Sequence, residues 1–444
     1  MSVHNKVLLF TVSILLLLTV LGIPPACASV KTSSSNSDMK RGFSENWRFS
    51  PQLYAEKADL LIAHIEFAEA GKVQEIHQLR PDLICLLYRN MRSIYKDSPE
   101  WQMALNKNWI LKDEEGRLIR ETRWPDNYIV DKGNPDYQDW VANWLKEQLD
   151  KFGFDGVHAD RNLHISVVNA LYDTTWTSGE TGPPINPRTG LEYKDEELRT
   201  AQITLINKVK DAIGSRILEC NGIYEGETFY KHTQYYENYL FNSKLDGVMS
   251  EGWLYPITVV PREWYSEDKW KKSVDFVVWL EKNFLPRNKI FLPGIMHVNS
   301  PDSLPEGSTM KQYFIYVFSS ILLAATNISQ YYPVLGDGRY YGTEDYPQSL
   351  FSLDLGNPLN AYYIVGGTHA YARDFSKVKV LVNPTNQSYS VKLDGNYKNL
   401  DDVPVTSPLT VSPHTGMILK KSTDASASAH VYIEHTYRGD LIVD

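Results

Sequence analysis

The chain has 444 residues, of which 43% are hydrophobic and 22% are charged, and this composition excludes an intrinsically disordered protein. Its formal net charge is -9 at pH 7, so we expect no binding to nucleic acid, because an acidic protein does not neutralise phosphates. The length suits one barrel of about 250 residues or more and a smaller second domain.

The N-terminus has the pattern of a secretory signal. Lys6 precedes a long apolar run, and Ala-Cys-Ala at residues 26–28 forms a small-residue cleavage site. We therefore predict a signal peptide at residues 1–28, a Ser-rich linker at residues 29–40, and a secreted, extracellular or cell-surface protein with no stable membrane insertion after cleavage. Two alternatives stay open: an uncleaved anchor, because the run borders on spanning length, and a lipid anchor on Cys27.

Residues 41–360 alternate short apolar segments with helical segments, which is typical of βαβ units and a parallel sheet. Eight segments have the pattern of strands, and eight is the number that closes a barrel. They are Leu60–Glu66, Asp82–Tyr88, Tyr128–Asp131, Phe154–Asp160, Arg216–Asn221, Asp246–Glu251, Lys289–Met296 and Asn327–Tyr331. We therefore predict an α/β fold, a (β/α)8 TIM barrel, over residues 41–360.

Capping residues and glycines mark four helices between these strands. Asn134-Pro135 offers an N-cap followed by proline, and Gly153 ends that helix. The other three helices are predicted at Thr200–Ile213, from a Ser266 cap to about Phe284, and from a Ser308 cap to Ala325.

From about residue 361 the pattern changes to the alternation of a small antiparallel β domain, predicted at residues 361–421. Its strands are predicted at Val378–Val382, Tyr389–Leu393, Leu409–Val411 and Met417–Leu419. Residues 430–444 resemble the opening strands of a proprotein-convertase P domain. Residues 422–444 are therefore predicted to be a spacer and the start of a further β domain.

The predicted strand ends are unusually acidic, and in a barrel the strand C-termini face the active site. The acids there are Glu66, Asp131, Asp160, Glu219 and Glu251. Acids seldom end buried strands unless they are paired or functional. Glycoside hydrolysis needs one carboxylic acid to protonate the leaving oxygen and a second carboxylate as nucleophile or base. The acidic rim therefore predicts a glycosidase acting on a carbohydrate substrate.

Neighbouring polar and aromatic side chains are predicted to bind substrate. The polar ones are Arg89, His158, Arg161, Asn221 and His297, and the aromatic ones are Trp124, Trp176, Trp253 and Tyr255. Packing under a loop is the alternative for each aromatic. Asp131 has the alternative of a structural role at the start of the helix that follows it. Cys85 and Cys220 lie in apolar segments and are predicted to be buried free thiols, and we expect no metal and no other cofactor.

The segment Gly153-Phe-Asp-Gly-Val-His-Ala-Asp160 is the most informative one. It resembles the G-F-D-G-V-x-x-D motif of several barrel glycosidases, and the chain is similar to glycoside hydrolases near the endo-α-1,4-polygalactosaminidase group. The resemblance implies that Asp160 is catalytic, as nucleophile or base. It also implies that Glu251, in Asp246-Gly-Val-Met-Ser-Glu251, is the general acid. Tyr371–Phe375 and the segment Val380-Leu-Val-Asn-Pro384 resemble the β domain of such enzymes.

One departure from these families is His158, where they often have a bulky apolar residue, and Arg161 follows the catalytic position. We expect Asp131 and Glu219 to position sugar hydroxyls or to tune the catalytic pair. Three rival functions stay open. The first is a barrel that binds carbohydrate without cleaving it, and the second is a metal-dependent hydrolase, disfavoured because no HExxH pairing is present. The third is a structural surface protein, which would leave the acidic rim unexplained.

Overall fold

The computed structural model of the chain describes residues 40–44, 49–121, 124–161, 181–224, 226–254, 263–295, 304–305, 307–335, 344, 346 and 348–422. The predicted signal peptide, nearly all of the linker and the predicted further β domain lie outside the described residues, as do Trp176, Tyr255 and His297. Within the described ranges, no helix combines the length and the apolar character needed to cross a membrane.

The strands are short, and those of the barrel sheet are mostly buried. They are β1 (Gly42–Ser44), β2 (Leu60–Ala63), β3 (Ile84–Asn90), β4 (Ser93–Tyr95), β5 (Asn127–Ile129), β6 (Gly156–Asp160), β7 (Ile185–Asn186), β8 (Leu191–Glu192), β9 (Ile217–Asn221), β10 (Gly247–Ser250), β11 (Ile290–Pro293), β12 (Tyr363–Ile364), β13 (Tyr371–Asp374), β14 (Val378–Asn383), β15 (Tyr389–Val391), β16 (Tyr397–Lys398), β17 (Pro404–Val405), β18 (Leu409–Val411) and β19 (Thr415–Lys421).

A parallel sheet of seven strands forms the barrel wall, in the order β1-β2-β3-β6-β9-β10-β11. Single parallel bridges then join Tyr331 to Phe291 in β11, and join Val334 to both Gly294 and Gly42. Residues 331–334 therefore occupy the eighth position and close the sheet on itself. The predicted (β/α)8 barrel is confirmed.

The helices alternate with these strands. In chain order they are α1 (Pro51–Lys57), α2 (Ile65–Glu69), α3 (Lys72–Leu79), α4 (Trp101–Asn106), α5 (Pro135–Phe152), α6 (Asp195–Ile213), α7 (Gly226–Lys231), α8 (Thr233–Asn242), α9 (Glu267–Asn283) and α10 (Met310–Ala324). Short 3-10 turns cover Leu285–Arg287, Ile328–Gln330 and Gln348–Ser352.

The cap signals predicted the ends of α5 and α9. The Asn134 side chain accepts hydrogen bonds from two backbone N–H groups of the first turn of α5, and Gly153 ends the helix with φ 77°, a left-handed conformation that glycine adopts without strain. Two helix starts were misplaced. Helix α6 begins five residues before Thr200, with three acids in its first turn, and the cap of α10 is Thr309 rather than Ser308.

Two of the eight predicted strands are wrong. Strand β5, in the predicted segment Tyr128–Asp131, pairs antiparallel with β4 outside the barrel sheet. In Asn327–Tyr331, residues 328–330 form a 3-10 turn, and pairing with β11 begins only at Tyr331. Strand β1 was missed because three residues after a polar linker carry too little pattern. The remaining six segments lie on barrel strands.

Side chains on the barrel strands alternate between the barrel interior and the helices outside. The lower interior is an apolar cluster of Leu60, Ile62, Leu86, Ile217, Met249, Ile290, Leu292, Tyr332 and Val334. At Gly156 the strands β6 and β9 approach so closely that a Cβ atom there would lie 2.1 Å from the carbonyl oxygen of Ile217. The second glycine of the G-F-D-G-V motif, Gly156, is therefore required by the packing of two barrel strands.

The C-terminal sheet has the antiparallel order β12-β13-β14-β19-β16-β17, and β15 pairs with β18 beside it. It packs on α10 through apolar side chains of β14 and β19, such as Val380 and Ile418, which belong to the same core cluster as the apolar face of α10. A Cβ atom at Gly416 would lie 2.5 Å from the carbonyl oxygen of Ile315, so glycine permits β19 to lie directly against the helix. The predicted antiparallel β domain is thus fixed to the last barrel helix.

A buried arginine ties this sheet to the C-terminal end of α10. Arg373 is 5% exposed, and its Nη1 donates hydrogen bonds to three carbonyl oxygens at this helix end, at 3.2, 3.1 and 2.8 Å. A cation at a helix C-terminus also complements the helix dipole.

We predict that Arg373→Met lowers the free energy of unfolding by about 2–4 kcal/mol, because buried carbonyl groups lose a charged donor. Urea denaturation followed by circular dichroism measures this. The exposed Lys392→Met in the same sheet region is the control and should change stability by less than about 0.5 kcal/mol. Equal effects of the two variants would contradict the proposed tie.

Candidate active site

Two carboxylates and one amide meet at the C-terminal end of the barrel strands. Asn221 Nδ2 donates a hydrogen bond to Asp160 Oδ1 at 2.9 Å and another to Glu251 Oε2 at 3.0 Å. Tyr88 completes the group, because its hydroxyl donates to Asp160 Oδ2 at 2.7 Å. We call Tyr88, Asp160, Asn221 and Glu251 the carboxylate cluster.

The shared amide fixes the separation of the two acids. The two N–H bonds of an amide group diverge by about 120°, so two oxygens that each accept one of them lie about 5 Å apart. Asp160 is 7% exposed and Glu251 is half-buried. The arrangement holds one oxygen of each carboxylate at a defined spacing.

Strand alternation places the cluster. Asp160 and Asn221 are the last residues of β6 and β9, and Glu251 directly follows β10, so all three side chains fall on interior-facing positions of adjacent strands. Gly294 makes room beside them, since a Cβ atom there would lie 2.6 Å from the carbonyl oxygen of Glu251. The acids predicted at strands 4 and 6 are therefore brought together.

Arg161 braces Asp160 from the loop side. Its backbone has φ 55°, in the left-handed region that residues other than glycine rarely adopt, directly after the carboxylate. Its guanidinium lies 2.5 Å from Glu121, 3.5 Å from Asp160 Oδ2 and 3.9 Å from the centroid of the Trp124 ring. The face of Trp124 that stacks on Arg161 is therefore occupied by protein.

A second ion pair lies in the barrel interior below the cluster. Nδ1 of His158 contacts Oε2 of Glu219, and both side chains are buried. Burial alone would lower the pKa of His158, but the negative charges of Glu219, Asp160 and Glu251 raise it above its ordinary value. His158 therefore lies among carboxylates that favour its protonated form.

Several residues of the site were missed by the sequence analysis. Tyr88 was missed because an aromatic residue inside an apolar strand normally packs in the core. Glu121 is fully buried and also accepts a hydrogen bond from Ser93 Oγ at 2.8 Å, but nothing in its local sequence marks it. Lys132 is 4% exposed; burial lowers its pKa to about 7, helped by Arg92 and opposed by Asp160.

Four residues predicted to bind substrate lie outside the carboxylate cluster; this corrects the predictions for Arg89, Trp253 and Asp131, and the one for Glu66 stays a prediction. Arg89 points away from the interior, with its guanidinium 2.6 Å from Glu100 and above the ring of Trp144 on α5. Trp253 is fully buried in the core, so no sugar ring reaches it. Glu66 is exposed in the first turn of α2, beyond the end of its strand.

Asp131 is the fourth, and it has a structural role. It follows β5, outside the barrel sheet, so it is not at a barrel strand end. It is 1% exposed, accepts hydrogen bonds from Arg188 at 2.9 Å and from the backbone N–H of Gly133 at 2.9 Å, and also from the hydroxyl of Tyr193. These bonds join the loop before α5 to the loop before α6.

Among the described residues, one group could hold a metal ion by proximity: His77, Cys85 and Asp155, whose ligand atoms lie within 4.8 Å of one another. Hydrogen bonds account for this group. Asp155 accepts from the backbone N–H of Cys85 at 2.8 Å and pairs with His77 at 3.1 Å. The group lies at the N-terminal end of β6, opposite the carboxylate cluster. Cys85 and Cys220 are buried free thiols, as predicted.

Comparison with known proteins gives a family and a fold. Residues 77–379 match the model of hypothetical glycosyl hydrolase family 15.

An α-amylase of Lactobacillus plantarum is similar over 86% of this chain and 99% of its own, with 13% identity and a TM-score of 0.53. A maltogenic α-amylase, AmyB of Thermotoga neapolitana, covers 86% of this chain and 98% of its own, with 12% identity and a TM-score of 0.47. The first likeness supports the barrel fold. No curated protein matches significantly.

The lowered pKa of Lys132 predicts a pH-dependent stability. Between about pH 7 and pH 10 the unfolded chain carries the Lys132 proton and the folded chain does not, so folding becomes more favourable as pH rises. We predict that Lys132→Met flattens this dependence, and that the stability of the wild type relative to the variant rises by roughly 1 kcal/mol per pH unit over this range. Urea denaturation of both proteins measures it. A difference that stays constant with pH would contradict the prediction.

Proposed function

The chain belongs to the hypothetical glycosyl hydrolase family 15 and is a glycosidase, and we propose that it cleaves an extracellular polysaccharide or oligosaccharide with Asp160 and Glu251 as its catalytic carboxylates. The observation that carries the proposal is the single amide nitrogen of Asn221 that hydrogen-bonds to both acids. The signal-like N-terminus supports an extracellular substrate.

The spacing of the acids favours a retaining mechanism. Retaining glycosidases hold their carboxyl groups roughly 5–5.5 Å apart, whereas inverting ones hold them roughly 6.5–9.5 Å apart to admit a water molecule. The shared amide of Asn221 corresponds to the shorter spacing. We therefore assign Asp160 as the nucleophile and Glu251 as the acid and base.

In the first step, an Asp160 carboxylate oxygen forms a bond to the anomeric carbon while the glycosidic C–O bond breaks, and Glu251 gives its proton to the leaving oxygen. In the second step, the Glu251 carboxylate takes a proton from water as the water oxygen bonds to the anomeric carbon. The bond between the sugar and Asp160 breaks, which releases the carboxylate.

The neighbours of Asp160 suit a nucleophile. It accepts hydrogen bonds from Tyr88 and Asn221 and lies beside the Arg161 guanidinium, so its carboxylate is held in one orientation. Glu251 accepts the Asn221 bond and is more exposed than Asp160, which suits a group that exchanges a proton with the leaving group and with water.

We predict that Asp160→Asn lowers turnover by a factor on the order of 10³ or more, because the amide cannot form the glycosyl-enzyme bond. Reducing-sugar release from a panel of soluble polysaccharides, amino-sugar polymers included, measures it. Asp139→Asn, an exposed change on α5, is the matched control and should retain wild-type rates. Cleavage by Asp160→Asn would remove Asp160 from the mechanism. Binding without cleavage by the wild type would instead favour an inactive carbohydrate-binding barrel.

We predict that Glu251→Gln lowers kcat/KM on polysaccharides by a factor of about 10²–10⁴, but much less on nitrophenyl glycosides, because kcat/KM reports the first step and a nitrophenolate leaves without a proton. Exposed Glu147→Gln on α5 is the control. Proton NMR of the first product formed by the wild type should show the anomeric configuration of the substrate. An inverted product would overturn the retaining assignment and leave the two-carboxylate proposal standing.

A further inference from the structure

We propose that the buried pair of His158 and Glu219 is a positioning device that sets the orientation and charge of the nucleophile Asp160. The inference rests on the proposed function, since it concerns how that nucleophile is prepared. His158 acts through Tyr88 and through its own positive charge, and Glu219 fixes His158. Neither residue needs to touch the sugar.

The pair occupies a place where a barrel normally has apolar side chains. The register sets His158 directly opposite Glu219 on the adjacent strand, and both point into the interior. The interior around them is apolar, with Met249 and Leu86 on neighbouring strands. Taking two charges out of water costs more than their attraction commonly returns, so stability gives no reason to keep the pair.

An aromatic stack connects the pair to the nucleophile. The ring of Tyr88 lies between those of His64, at 4.3 Å and 29°, and His158, at 5.8 Å and 26°. Held on both faces, Tyr88 directs its hydroxyl to Asp160 Oδ2 at 2.7 Å. Movement of His158 would therefore release the ring that orients the Asp160 carboxylate.

The charges around His158 come from several barrel strands. Glu219 faces it from β9, Asp160 lies on its own strand, Glu251 follows β10, and His64 faces it across Tyr88. The three acids outweigh burial and raise the pKa of His158. Removal of the Asp160 charge would therefore lower the pKa of His158. Glu219 Oε1 has no hydrogen-bond partner within the described residues, so the histidine is the one fixed contact of that carboxylate there.

The first test replaces the whole pair. A single change leaves one buried charge without a partner and can prevent folding, whereas an apolar pair of similar volume is tolerated. In His158→Phe/Glu219→Met the phenyl ring keeps a stack on Tyr88 while both charges are removed. We expect a Tm at or above that of the wild type. We also expect the acidic limb of the kcat/KM profile to move to higher pH by on the order of one unit, because Asp160 loses a cation.

If the pair were merely structural, the double variant would have a lower Tm than the wild type. The pH profile of the folded enzyme would then be unchanged. That outcome overturns the proposal. Asp160→Asn in the same assay distinguishes a failure of the proposed function from a failure of the proposed role of the pair. Turnover by Asp160→Asn would reject the proposed function, whereas its loss together with an unmoved profile in the double variant would reject only the role of the pair.

The second test needs no substrate. NMR titration of His158 in the wild type and in Asp160→Asn measures the same coupling from the histidine side. We expect the pKa of His158 to fall in Asp160→Asn, because the variant lacks the negative charge. The pKa of His77, which pairs with Asp155 at the other end of β6, should stay the same and serves as the internal control. An unchanged His158 titration would overturn the proposal whether or not the enzyme has been assayed.

Discussion

The site depends on holding two carboxylates about 5 Å apart in a mostly buried place, where like charges repel strongly. Asn221 solves this by donating one N–H bond to each acid, which fixes their spacing without adding a charge. The Arg161 guanidinium lies beside Asp160 at the loop, and His158, whose pKa the surrounding acids raise, lies in the barrel interior.

Backbone geometry sets where these side chains lie. Gly156 and Gly294 permit neighbouring strands to approach closer than any Cβ atom would allow, and the carboxylate cluster lies at the ends of those strands. Arg161 adopts a left-handed backbone conformation that costs on the order of 1–2 kcal/mol for a residue with a side chain. The contacts of its guanidinium with Glu121 and Trp124 help to offset that cost.

The sequence predicted the barrel fold, and its errors have physical reasons. Asp160 and Glu251 end glycine-containing apolar segments, and the structure brings both to the amide of Asn221, while their catalytic role stays a prediction. Asp131 ends a similar segment, but that segment pairs in a separate hairpin, and pairing partners are not encoded locally. At Tyr88 and Arg89 the prediction was wrong by one residue. Adjacent side chains on a strand point to opposite faces, so Arg89 was predicted to bind substrate although Tyr88 is the residue that faces Asp160. Glu121 and Lys132 reach the site only through tertiary folding.

Strand β6 shows how position along a barrel strand decides what an acid does. Asp155 precedes it and pairs with His77, and that hydrogen bond raises the pKa of the histidine and joins α3 to the sheet. Asp160 ends the strand five residues later, near the pair of His158 and Glu219, and is itself mostly buried. An aspartate and a histidine lie close together in both places. At the N-terminal end the histidine bonds to the aspartate and joins a helix to the sheet, whereas at the C-terminal end the histidine contacts Glu219, and Asp160 accepts its hydrogen bonds from Tyr88 and Asn221.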